Sequence, residues 1–276
     1  MKNSTKTFLI LALGVIIVSS CSKNNKVAYE DLPTIKTEDK VVLDTMEQAD
    51  AAYTQVYTVV HTEVSNVEDQ AFKTGGSSGL ASDPNAVVTC EIDSTDKANK
   101  YVSKVTISYP TPSVWNGVTK SGKIIVTKNG KITTPGTMCY ITFENFTING
   151  ISISGTPTLE NKGFVNATYT MALKMNDGIY GSIFHLSLDL TLGFTISNGS
   201  YALTMSGTET LTFNGRTVKS SCTSPLMRAL DCDFIKKGAK EIVEGSDKKI
   251  LDYGDGTCDA KSTFIVKGIT YQYTQQ

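Results

Sequence analysis

Residues 168–175 read TYTMALKM and residues 184–192 read FHLSLDLTL. Successive side chains of a strand point to opposite faces, so Tyr169, Met171, Leu173 and Met175 share one side against Thr168, Thr170 and Lys174. In the second stretch Phe184, Leu186, Leu188, Leu190 and Leu192 oppose His185, Ser187, Asp189 and Thr191. The alternation predicts two strands of a sheet with one apolar face and one wet face. Such a face must be covered by a second sheet, by closure into a barrel, by a helix or by a ligand.

Working outward, turn dipeptides punctuate the chain on both sides. Asn-Gly begins at 116, 129, 149, 198 and 214, and Asp-Gly at 177 and 255. Both residues of these pairs accept positive φ, which makes them hairpin signals. Between them lie runs rich in Thr, Ile, Val, Phe and Tyr, at 123–128, 139–148, 182–192 and 201–213. The expected architecture is all-β: an antiparallel meander forming a sandwich or open barrel over residues 80–276, preceded by an N-terminal helical segment.

That helical segment spans 37–74, with a helix read from Thr37 to about Glu63. Thr37 is placed as N-cap, and Glu38 and Asp39 fall in the first turn, where the helix dipole favours negative charge. Val42, Met46, Ala49, Tyr53, Val56 and Val60 recur at three- and four-residue steps and form one apolar stripe. The stripe predicts packing on the β domain, with a partner-binding or coiled-coil helix as the alternative. Gly75-Gly76-Ser77-Ser78-Gly79 reads as a linker and a domain boundary.

The first twenty residues are read as an export signal. Lys2 and Lys6 open it, and Phe8 to Val18 is an apolar run too short to cross a bilayer core of about 30 Å as a helix. Val18-Ser19-Ser20-Cys21 resembles the lipobox of bacterial lipoproteins, which assigns lipidation to Cys21 and removal of residues 1–20. Residues 21–36 then form a flexible tether. Attached acyl chains would hold the protein beside a membrane, at about 0.8 kcal/mol per buried methylene.

Composition narrows the functional classes. The chain is 40% hydrophobic and 19% charged, with a formal charge of -1, which offers no field for holding a nucleic-acid backbone. Only His61 and His185 are available as histidines. His185, Ser187 and Asp189 invite a hydrolase reading, but alternate residues of a strand stand about 6.6 Å apart and point in parallel. A triad needs converging groups at about 3 Å. The chain is therefore expected to be non-enzymatic, with no catalytic residues and no resident cofactor.

Cys90, Cys139, Cys222, Cys232 and Cys258 remain after Cys21. An odd number in an oxidising compartment allows at most two bridges. Cys232 with Cys258 is the favoured pair, since both flank the hairpin from Gly238 to Leu251, and Cys222 is left to pair with Cys139 or Cys90. Asp252, Asp255 and Asp259 surround a glycine-rich turn and could offer oxygen ligands to Ca²⁺, although Asp and Gly also recur in turns for conformational reasons alone. Trp115, the only tryptophan, follows a Pro-bearing stretch and reads either as a buried plug or as a platform for stacking a sugar ring. Asp44-Thr45-Met46 and Asp93-Ser94-Thr95 resemble the O-glycosylation acceptor of Bacteroidota.

Leu251-Asp252-Tyr253-Gly254-Asp255-Gly256-Thr257-Cys258-Asp259, followed by Ser262 to Val266 and the turn Lys267-Gly268, resembles the C-terminal signature of a family of uncharacterised Bacteroidota envelope lipoproteins. The likeness extends to Ser121 through Thr127, Thr142 through Gly150, Gly155-Thr156 and Thr223 through Leu226, over roughly residues 85–273. It departs near Trp115-Asn116-Gly117, where the family tends to show a cysteine and an Asp-Gly turn. The resemblance implies an exported, lipid-anchored all-β protein with no assigned activity. It also implies that an acidic run after the lipidated cysteine marks surface export. Here Ser22-Lys23-Asn24-Asn25-Lys26 follows instead, which favours the periplasmic face of the outer membrane. The expected function is binding or scaffolding there, with glycan or envelope-protein partners. The alternative is a lipid-carrying role through an uncovered apolar sheet face.

Overall fold

The computed structural model describes residues 28–74, 78–79, 83–93, 101–115, 117–165, 168–197, 200–229 and 232–275. The export signal, Cys21, the first part of the tether, Gly75 to Ser77, Ser94 and Thr95, Asn116 and Asn198 lie outside the described residues.

The helix α1 runs over Thr37–Thr74, 38 residues or roughly 57 Å. It continues past Glu63 because Val64 and Val67 prolong the apolar stripe and are fully buried. Its first bonds run from the amides of Asp39 and Lys40 to the Lys36 carbonyl, so Lys36 rather than Thr37 occupies the cap position. The strands that follow are β1 (Ser78–Gly79), β2 (Val87–Asp93), β3 (Tyr101–Trp115), β4 (Val118–Lys128), β5 (Met138–Ile148), β6 (Ile151–Ser154), β7 (Thr158–Val165) and β8 (Thr168–Tyr180). They continue with β9 (Phe184–Ser197), β10 (Ser200–Phe213), β11 (Arg216–Ala229), β12 (Lys237–Glu244), β13 (Asp247–Asp255), β14 (Lys261–Val266) and β15 (Ile269–Thr274).

All of them join one antiparallel sheet in chain order from β1 to β15, with β6 and β7 both inserted between β5 and β8. Among the described residues there is one continuous sheet and no second sheet to make a sandwich. Its apolar face is covered by α1 instead. Met171, Leu173, Met175 and the five alternating residues from Phe184 to Leu192 are buried in one cluster with Leu43, Val56, Val60 and Val67 of the helix.

A helix lying on a flat sheet buries one side. Here Asp39, Leu43, Thr45, Asp50, Tyr57, Glu63 and Glu68 are buried in addition to the expected stripe. What remains exposed is a narrow line through Val41, Gln48, Ala51 and Thr58. The sheet therefore wraps the helix, as an open trough holding a rod.

Hairpin chemistry follows the dipeptides in part. Asn149-Gly150 and Asn214-Gly215 turn with positive φ at both residues, as does Lys267-Gly268. Asp177-Gly178 makes no hairpin: it sits inside β8 at a bulge, where the register against β9 shifts between Met175 and Gly178. Asn129-Gly130 opens the longer loop before β5. Gly207 marks a second bulge, where any side chain would strike the Asp189 carbonyl 2.2 Å away.

The expected tether is docked from residue 28 onward. The Gln272 amide donates to the Pro33 carbonyl at 2.9 Å, the Gln272 side-chain amide donates to Leu32 O at 2.9 Å, and the Tyr29 hydroxyl donates to Tyr273 O at 2.6 Å. This strap covers the edge strand β15 and occupies groups that would otherwise template pairing with another chain. Among the described residues, no helix is long and apolar enough to cross a membrane.

Candidate ligand clefts beside the central helix

Because α1 lies in the open side of the trough, a cleft remains along each of its flanks. On one side, a cavity of about 270 Å³ lies between α1 and β3–β4. Trp115 stands at its rim, 39% exposed, which corrects the buried-plug reading. The reason is position: Trp115 is the last residue of β3, paired with Val118 across the turn, beyond the sheet's covered centre. Val59 and Val118 add apolar wall, while Thr58 and Thr62 bring hydroxyls from the helix.

The floor of this cleft is polar. Asp83 is buried and accepts from Ser113 Oγ at 3.2 Å, from the Asn85 amide at 3.0 Å and from Lys120 Nζ at 3.4 Å. Lys120 Nζ also lies 5.4 Å from the centre of the Tyr109 ring. Gln55 Oε1, on the cleft wall, and the Tyr109 hydroxyl, whose ring lies beside Lys120 but does not line the cleft, are buried and have no hydrogen-bond partner among the described residues. Burial, with the charges of Asp83 and Glu63 behind it, raises the Tyr109 hydroxyl above its ordinary range and keeps it a neutral donor. An aromatic rim over a few fixed donors and acceptors is the arrangement by which concave sites orient polyhydroxylated ligands.

On the other flank, two cavities of about 140 and 290 Å³ share Thr54, Tyr57, Leu203 and Arg228. Beneath them lies a charge cluster with no counterpart in the sequence reading. Lys240 Nζ, on β12, donates to Asp50 of α1 at 2.9 Å and to Glu209 of β10 at 2.5 Å. Asp50 also accepts from Tyr53 Oη at 3.0 Å, and Glu209 from Ser220 Oγ at 2.6 Å. Burial, then the charge of Glu209, pushes Asp50 up to about 7. Burial acts the same way on Glu209, but Lys240 and Ser220 outweigh it and hold that carboxyl below its ordinary value. Asp39 with Lys249 at 2.6 Å, and Glu68 with Lys128, add two further buried pairs between helix and sheet.

The acidic turn near the C-terminus is different. Asp252 Oδ1 accepts the Gly254 amide at 2.9 Å, Asp255 Oδ1 the Thr257 amide at 3.1 Å, and Asp259 Oδ1 the Lys261 amide at 3.0 Å. Each carboxylate closes its own two-residue turn. Among the described residues, no three metal-ligating side chains come together, here or elsewhere. The conformational reading of this turn holds, and the Ca²⁺ reading has no ligand set.

Cys232 and Cys258 form the expected disulfide, joining the segment before β12 to the segment after β13. Cys222 pairs with neither Cys139 nor Cys90: all three are free. They sit on β11, β5 and β2, whereas a bridge needs Cα atoms within about 7 Å. Burial pushes the Cys139 thiol up to about 11, which makes it unreactive. His185, Ser187 and Asp189 stand on the outer face of β9 without converging. Ser187 Oγ donates to the Asn176 carbonyl at 2.7 Å, and Asp189 pairs with Lys174 at 2.9 Å. Thr45, in the glycosylation-like Asp44-Thr45-Met46, is buried with its hydroxyl donating to Val41 O at 2.7 Å, so that acceptor is closed.

Trp115 was the only member of either cleft that the sequence singled out as a site residue. Gln55, Asp83, Lys120 and Arg228 reach the clefts from distant strands and from the helix, and no local spacing joins them. Comparison with known proteins gives no match: no family model, no curated protein and no solved structure is similar to this chain.

Proposed function

We propose that this is a non-enzymatic binding protein, anchored through a lipidated Cys21 at the periplasmic face of the outer membrane, that holds a glycan in the cleft between α1 and β3–β4. The observation that carries the reading is the combination of the exposed Trp115 rim with the unpartnered Gln55 Oε1 and the buried Asp83–Lys120 pair. A sugar ring presents an apolar face to an aromatic side chain and hydroxyls at its edge, and those hydroxyls match the amide, carboxylate and ammonium groups of the floor. The Asp83–Lys120 pair neutralises itself, which suits an uncharged saccharide.

The lipid-carrying alternative has less support. α1 covers the apolar face, and the apolar void left between Val56, Phe143 and Leu188 is about 20 Å³, room for one water and not for an acyl chain.

Affinity electrophoresis of the soluble protein through a panel of envelope and dietary polysaccharides tests the ligand. Retardation by at least one neutral glycan is expected, with a loss of about tenfold or more on Trp115→Ala. Migration unaffected by every polysaccharide would sink the glycan reading. Incorporation of labelled palmitate, abolished by Cys21→Ser, tests the anchor separately.

A further inference from the structure

We propose that the cleft on the opposite flank of α1 is a second ligand site, built for a small zwitterion: an α-amino acid or short peptide whose carboxylate meets Arg228 and whose ammonium meets Glu47 and Asp50. All three side chains line the same cavity of about 140 Å³. A simple anion entering it would face the carboxyl groups of Glu47, Asp50 and Asp233, and a simple cation would face a guanidinium. A molecule carrying both signs a few atoms apart satisfies both walls.

Arg228 is set for this role. Its Nε donates to the Cys232 carbonyl at 3.0 Å, and Cys232 is fixed by its bridge to Cys258. Among the described residues it forms no salt bridge, so the planar fork that binds carboxylates in a bidentate manner keeps its terminal donors for a ligand. On the facing wall, Glu47 and Asp50 lie one turn apart on α1. Asp50 shares Lys240 with the buried Glu209, and Asp233 lines the same cavity as Glu47, so acidic groups outnumber Arg228 there. A ligand ammonium would supply the missing positive charge.

The size and the walls fix the rest of the ligand. A dry cavity of about 150 Å³ accommodates a benzene-sized molecule. Here the space continues into the second cavity, past Leu203 to Tyr57 and Phe194, whose rings stack at 5.9 Å. An apolar side chain or a second residue would lie there.

This site does not depend on the glycan reading, since Trp115 stands on the other flank, and either can fail without the other. The test is titration calorimetry of the soluble protein with L-leucine and L-leucyl-L-leucine, beside 3-methylbutylamine and 4-methylpentanoate, which lack the carboxylate and the ammonium respectively. Saturable binding of leucine or the dipeptide is expected, at least tenfold tighter than either analogue. Arg228→Gln, at an exposed position, and Glu47→Gln, at a half-buried one, should each weaken it at least tenfold, while Trp115→Ala leaves it unchanged. No saturable heat with either probe would overturn the proposal. So would analogues that bind equally well, or an Arg228→Gln protein that binds like wild type.

Discussion

Two acidic regions of this molecule invite comparison: the turn carrying Asp252, Asp255 and Asp259, and the interior cluster of Asp50 and Glu209. The first is conspicuous in the sequence, with its carboxylates crowded into eight residues, and it closes three local turns at the surface. The second is invisible in the sequence, because its members are 159 residues apart, yet it is fully enclosed and tied to Lys240. Carboxylates close in sequence find their own backbone first. Those brought together by the fold must find a counter-charge, because burial leaves them no water.

The largest expected effect breaks the second region. Lys240→Met removes the lysine that both buried carboxyl groups contact, and should destabilise the protein by about 3 to 5 kcal/mol in urea unfolding at neutral pH. A loss below about 1 kcal/mol would mean that the carboxyl groups simply take up protons and need no lysine. Next comes the covalent staple of the first region. Replacing Cys232 and Cys258 by serine opens a loop of 26 residues and should cost about 3 kcal/mol. That cost would show the acidic turn to be held by its bridge and not by its carboxylates.

This contrast also explains what could be read from the sequence. The strands at 168–175 and 184–192 were legible because alternation is a property of neighbours, and so was the disulfide flanking one hairpin. The helix was legible as a stripe through Val42, Met46 and Tyr53, but its burial on three sides was not. That burial depends on Asp39, Asp50 and Glu68 meeting lysines from β13, β12 and β4, and nothing in the spacing of an acidic residue on a helix says that a lysine 190 positions later will reach it. Asp177-Gly178 misleads for the opposite reason: the dipeptide tolerates positive φ, but the pairing of β8 with β9 continues through it as a bulge. The clefts were legible only at Trp115, since a lone aromatic can be noticed by itself and a floor of Gln55, Asp83 and Lys120 cannot.

A third measurement sharpens the comparison through pH. The Asp50 carboxyl is raised in the folded state to about 7, so between pH 4 and pH 7 the folded protein holds a proton that the unfolded chain releases. Stability from this group is therefore present at low pH and is lost as pH rises through that window. Asp50→Asn cannot titrate, so its unfolding midpoint should fall less than that of wild type between pH 4.5 and pH 7.5. Parallel curves for the two proteins would remove Asp50 as the titrating group.

The smallest effect belongs to that turn itself. An asparagine keeps the Oδ1 acceptor that Asp252 and Asp255 use, so Asp252→Asn and Asp255→Asn should each change stability by less than about 0.5 kcal/mol. Alanine removes the acceptor and should cost about 1 kcal/mol, the worth of one hydrogen bond that closes a turn. A chelator should leave the thermal midpoint of the wild-type protein where it was, because these carboxylates are committed to separate amides. A midpoint that dropped on chelation and recovered with Ca²⁺ would mean that the three aspartates leave their turns to converge on an ion. Sequence proximity would then have predicted a joint role, and the division between the two acidic regions would have to be drawn elsewhere.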